Sequence, residues 1–116
     1  MSLERVIKAL IDLGLPRQDA EIYVYLTKNG PLSETTLEKK LKLKRRQLNQ
    51  TLKNLRHKEI VRIVDRNSAE LCAVPFEAAL NLLIEINKQQ NDALQDIKRE
   101  LLENWPKISR KTPDNT

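Results

Sequence analysis

Apolar residues recur at helical spacing along most of this chain. Leu3, Val6, Ile7, Leu10, Ile11 and Leu13 form a first stripe, which starts behind a capping Ser2 and stops at Gly14, with Pro16 close behind. Ala20, Tyr23, Val24 and Thr27 make the inner stripe of a second helix, from Pro16 or Arg17 to Lys28, with Ile22 and Leu26 at its edges. Asn29-Gly30-Pro31 stops it. Ser33 caps a short third helix whose core positions are Leu37, Leu41 and Leu43, and Lys42-Leu43-Lys44 is a turn. Leu48, Leu52 and Leu55, at i, i+4 and i+7, give a fourth helix one leucine face, ending near Lys58.

The period then changes. Ile60 to Val64 is short and β-branched, Asp65-Arg66-Asn67-Ser68 is turn chemistry, and Ala69 to Val74 is a second short strand. Together they predict a hairpin. Pro75 opens a long helix expected to run to about Trp105, where Pro106 breaks it. Heptad stepping from Phe76 meets Leu80, Leu83, Asn87, Gln90, Leu94, Ile97, Leu101 and Asn104. Six of these nine positions are apolar, which predicts a coiled-coil seam with a polar middle. Leu83, Asn87, Gln90, Leu94, Ile97, Leu101 and Trp105 are the expected dimerisation residues, and the seam admits parallel and antiparallel pairing. The plainer alternative is one helix folded back on its own domain.

These elements define a mainly α fold with a small β-hairpin: a winged helix-turn-helix followed by a long C-terminal coiled-coil helix. The expected divisions are 1–75 for the winged helix-turn-helix, 76–105 for the dimerisation helix and 106–116 for a disordered tail.

The fourth helix has a second face. Stepping about 100° per residue from Leu48, the opposite side carries Arg46, Gln50, Lys53 and His57, flanked by Gln47 and Asn54. Such side chains read base edges and meet phosphates. Residues 45–58 are therefore the expected recognition helix. Arg46, Gln47, Gln50 and Lys53 are expected to enter the major groove of double-stranded DNA, with Asn49 at its margin. Lys42, Lys44, Arg45, Arg62 and Arg66 are expected to hold phosphates, the last two from the hairpin, or wing. Charge supports this placement. The chain carries a net +5, but residues 39–66 alone hold eleven basic and two acidic side chains, while the segments on either side are each net −2. The bland readings are a solvated basic face and a hairpin that only covers the core. A basic block that coincides with a helix-turn-helix favours nucleic acid over both.

Catalytic and metal chemistry find little support. One His, one Cys and two helix-ending glycines supply neither a metal cluster nor a phosphate loop. His57, the sole candidate base, lies on the basic helix face, and Cys72 sits in a strand as a small packing residue. No enzyme, metal or cofactor is expected. A single Cys forms no internal disulfide, no apolar run has the length of a membrane span, and the N-terminus lacks a signal sequence. The expected location is the cytoplasm, with no membrane partner.

In this register the chain resembles the N-terminal domain of TrmB-type archaeal and bacterial regulators. Leu13-Gly14-Leu15 precedes a helix containing Asp19-Ala20-Glu21-Ile22-Tyr23-Val24-Tyr25-Leu26, and Asn29-Gly30-Pro31-Leu32 follows. Lys58-Glu59-Ile60-Val61 stands where the family usually writes Lys-Gly-Leu-Val. Ala73-Val74-Pro75-Phe76-Glu77-Ala78-Ala79-Leu80 is similar to its Ala-Val-Pro-Pro-Glu-x-Ala-Leu run. The likeness extends from residue 3 to about residue 104. It implies a winged-helix transcription regulator. Two positions depart from the family's pattern: Lys42 and Glu59 replace glycines at the helix-turn-helix turn and before the wing strand. Longer members carry a C-terminal effector domain similar to a sugar-binding module. This chain stops after the long helix, so sugar sensing is not carried over and no small-molecule effector is expected.

Three functions follow from these features. The first is a sequence-specific regulator binding duplex DNA as a homodimer. The second is an architectural, chromatin-type binder with little sequence preference, served by the same basic face. The third is a winged helix used as a protein-interaction module, suggested by Leu94, Ile97, Leu101 and Trp105. Eleven cations on one segment argue against the third.

Overall fold

Helix caps divide the chain where turn chemistry says they should. The computed structural model describes residues 2–110. In order it contains α1 (Leu3–Asp12), α2 (Arg17–Asn29), β1 (Leu32–Ser33), α3 (Glu34–Leu41), α4 (Arg45–His57), β2 (Val61–Asp65), β3 (Glu70–Ala73) and α5 (Phe76–Arg110). Two compact units result, Met1–Ile84 and Glu85–Thr116.

Ser2 Oγ accepts from the Arg5 amide at 3.3 Å and Ser33 Oγ from the Thr36 amide at 3.2 Å, so α1 and α3 each begin on a side-chain cap. α1 ends in a Schellman motif. The Leu15 amide donates to the Leu10 carbonyl at 3.1 Å and the Gly14 amide to Ile11 at 2.9 Å, with Gly14 at φ 105°. α4 ends the same way. The Ile60 amide donates to Leu55 at 3.1 Å and the Glu59 amide to Arg56 at 3.0 Å, with Glu59 at φ 64°. The apolar contact typical of this motif is available too, because Leu55 and Ile60 are both fully buried. Lys42, between α3 and α4, has φ 53°. Both positions where the family resemblance called for glycine are therefore left-handed, and both carry a charged residue.

In the first unit, α2 is the central helix. It packs on α1, α4 and β3, so burial spreads round more of it than one stripe. Ile22 and Leu26, expected at the edges, are fully buried, while Thr27, expected inside, is exposed. The Tyr23 hydroxyl donates to the Val74 carbonyl at 2.7 Å, and the Val74 amide donates to the Ile60 carbonyl at 3.0 Å. These bonds join α2, the end of α4 and the approach to α5. Burial also pushes the Tyr23 hydroxyl above the usual phenol range, so it stays a donor.

The expected hairpin is present but belongs to a three-stranded antiparallel sheet ordered β1-β3-β2. β1 pairs Leu32 with Leu71 and Ser33 with Glu70. At two residues it is too short to show an alternating pattern. The wing turn lies one residue later than expected: β2 extends through Asp65, Ala69 has φ 53°, and β3 starts at Glu70. The register between β2 and β3 shifts after Ile63, so Asp65 faces Glu70 and Val64 is the extra residue of a bulge.

α5 contributes Ala79 and Leu83 to the core of the first unit, both essentially buried. Leu83 thus packs inside its own chain, contrary to its expected place on an exposed seam. In the second unit the helix continues through Pro106 to Arg110. It does not break at the proline, which removes one backbone donor but keeps a helical φ. The tail expected at 106–116 is thus helical to Arg110, and residues 111–116 lie outside the described residues. Every residue from Lys88 to Asn104 is exposed, Leu94, Ile97 and Leu101 at 50–62%.

Glu59→Gly is expected to stabilise the protein by up to about 1 kcal/mol, because glycine adopts a left-handed φ without the cost of a Cβ. A rise in the urea midpoint at unchanged m-value would bear this out. An unchanged or lower midpoint would show that Glu59 is not strained.

Candidate nucleic-acid interface

α4 is divided by burial along its length. Leu48, Thr51, Leu52 and Leu55 are buried, and Arg46, Gln47, Asn49, Gln50, Lys53, Arg56 and His57 are exposed. All five residues expected to contact bases lie on the solvent side. They border two hollows, one on each flank of the helix. Arg46, Gln47 and Gln50 line a hollow of about 440 Å³ with Pro16, Gln18, Asp19, Thr51 and Asn54. Asn49 and Lys53 line another, of about 550 Å³, with Glu34, Leu52, Arg56 and His57. The helix therefore presents a ridge between two shallow flanks. Arg56, not expected as a contact, joins the second.

The residues expected to hold phosphates are also exposed. Lys42 is the left-handed cap of α3, Lys44 the N-cap of α4 and Arg45 its first residue. Arg62 lies in β2 and Arg66 in the wing turn. That turn is held by the Asp65 carboxylate, whose Oδ1 accepts from the Asn67 amide at 2.9 Å and encloses Arg66 in an Asx turn. α4 has no side-chain cap and no acid in its first turn, so the positive end of its dipole is not neutralised locally. Among the described residues the salt bridges are Arg17 with Glu4 and Glu21, and Arg99 with Asp96. None engages a cation of residues 39–66.

Other chemistry is sparse. Among the described residues no group of His, Cys, Asp and Glu is placed to hold a metal ion. No described helix is long and apolar enough to cross a membrane. Cys72 is half-buried and free.

Asp19 is a buried acid beside α4 that carries none of the expected contacts. It lies in the first turn of α2, only 3% exposed, and its Oδ2 is sealed from solvent with no hydrogen-bond partner. Burial pushes its carboxyl above the usual range, against the Thr51 hydroxyl, the Lys58 ammonium and the Asn54 side chain, which favour the charged form. All three of these neighbours belong to α4 or its cap. The one signal in the sequence is Thr51, a polar residue three positions after Leu48 on the leucine face.

A raised folded pKa means that folding takes up a proton between the ordinary value of 3.8 and the folded one. Stability is therefore lost as pH rises through that window. Asp19→Asn, which cannot ionise, should stabilise the protein near neutral pH, with the gain shrinking to nothing as pH falls below the window. Urea midpoints measured across pH test this. A gain that grows toward acid pH would contradict it.

Against these features stands one comparison. Residues 10–77 match the family described as "sugar-specific transcriptional regulator TrmB". No curated protein matches the chain. The matched segment runs from the end of α1 through the wing to the start of α5, and so contains α4, both left-handed charged positions and Asp19. The chain belongs to the TrmB family of transcriptional regulators, in which the winged helix is the DNA-binding unit.

Proposed function

We propose that the protein regulates transcription as a homodimer that reads specific duplex DNA in the cytoplasm. The observation that carries the reading is the exposed face of α4, where Arg, Gln, Asn and Lys side chains stand free of salt bridges above a leucine-packed underside. Arg46, Gln47, Gln50 and Lys53 enter the major groove, with Asn49 at its margin. Lys42, Lys44, Arg45 and the open N-terminus of α4 hold phosphates on one side. Arg62 and Arg66 hold them from the wing.

Leu94, Ile97 and Leu101, exposed on the second unit, support pairing with a second copy. Gln90 falls in the polar middle of that seam, with Asn87 beside it. Two copies give two recognition helices for two half-sites. The architectural reading differs in one respect only: it needs the cations and not the amides. Gln47, Asn49 and Gln50 are the side chains that favour base reading over it.

Gln50→Ala should change which base is preferred at one position of the site, because a good base contact contributes roughly 1–3 kcal/mol of discrimination. Lys44→Ala should weaken binding to all sequences alike and lower the salt slope by about one. Equal losses on every duplex for Gln50→Ala would remove its base-reading role. Leu94→Glu together with Leu101→Glu should turn a dimer into a monomer in sedimentation while leaving the urea midpoint of the winged helix unchanged. A dimer that persists would place the contact elsewhere.

A further inference from the structure

We infer that Asp19 decides which way round Gln50 presents its amide to DNA, acting through Asn54. The inference rests on the reading that Gln50 meets a base. Asp19, Gln50, Thr51 and Asn54 line one hollow beside α4. Within it Gln50 Nε2 donates to Asn54 Oδ1 at 3.4 Å, one helical turn along. Asn54 is half-buried, and the Asp19 carboxyl beside it is buried with Oδ2 lacking a donor.

The three side chains have only one self-consistent order while Asp19 is a carboxylate. A carboxylate accepts and never donates. Asn54, in the same hollow, can answer it only through Nδ2, which leaves Oδ1 for Gln50, as in the bond observed here. Gln50 then answers with one Nε2 hydrogen. Its second Nε2 hydrogen and its Oε1 are left facing outward, one donor beside one acceptor. That pair matches adenine, which offers N7 as acceptor and N6 as donor in the major groove. Guanine offers two acceptors, O6 and N7, and suits two donors. A residue at position 19 that donates would reverse the order. Asn54 would turn Oδ1 inward and Nδ2 outward, Gln50 would accept with Oε1, and both Nε2 hydrogens would be free for guanine. Asp19 is thus a positioning residue for specificity, buried beneath the recognition helix and out of reach of the base itself.

The test is selection of bound duplexes from a randomised pool by the full chain, for the wild type and for Gln50→Ala, Asp19→Asn and Asn54→Ala. Gln50→Ala identifies the position that Gln50 reads. Asp19→Asn, whose amide can either accept or donate and so permits both orders, is expected to bring an adenine preference of about tenfold at that position toward parity, with the other positions and the salt slope unchanged. Asn54→Ala should lose the preference at the same position. Both variants are checked for an intact urea transition. A Gln50 position that keeps its adenine preference in Asp19→Asn overturns the inference while leaving base reading intact. If Gln50→Ala alters no position, base reading by Gln50 fails and the inference falls with it.

Discussion

Burial of Leu48, Leu52 and Leu55 fixes which side of α4 faces water, and so which side chains DNA can meet. Truncating one buried leucine to alanine typically costs about 2–5 kcal/mol, a large share of a small domain's stability. Rolling the helix by one residue, about 100°, would put Asn49 or Lys53 into the core. The register is therefore held by the hydrophobic effect, and the polar face follows as its complement. The Schellman turn that brings Ile60 back against Leu55 extends the same packing into the wing, and the Tyr23 bond to Val74 secures the far end. The expected face for DNA and the core are two sides of one helix.

Around that helix the chain tolerates several local conflicts. Lys42 and Glu59, at its two ends, hold left-handed backbone without glycine. Asp19 lies buried under it with an oxygen unsatisfied. Eleven cations cluster along residues 39–66 with two acids to offset them. Each feature opposes folding, and each lies on α4 or in a segment next to it. Conflicts between local rules and the global fold tend to gather where a protein's function lies. Lys42 makes the point at one residue: the left-handed cap that costs backbone energy also carries an exposed ammonium group in the turn between α3 and α4.

Much of the architecture was legible because it is written in caps and periods. Ser2, Ser33 and Gly14 mark helix ends by mechanisms that act within a few residues, and the leucine stripe of α4 needs only helical geometry. What escaped the sequence depends on distant partners. β1 exists only because Leu71 and Glu70 come alongside it. Ala69 takes a left-handed turn that no alanine signals in advance. Heptad stepping ran Leu83 into the seam because the core-facing stripe of α5 leads into it without a change of residue type. Asp19 looked like an ordinary acid in a helix's first turn, and its burial is set by Thr51 and Asn54 more than thirty residues away. The expected site residues were legible as a face. Their division between two flanking hollows was not, since each hollow borrows residues from another helix, Asp19 from α2 and Glu34 from α3.

The central claim is that this face reads sequence, beyond attracting phosphate. Its most direct test is a salt titration of binding to the DNA upstream of the protein's own coding region, beside a random duplex of equal length. The account predicts roughly thousandfold tighter binding to the upstream DNA, with a steep salt slope retained on the random duplex. Equal affinities with equal slopes would contradict it, and would leave a protein that holds the DNA backbone without reading the bases.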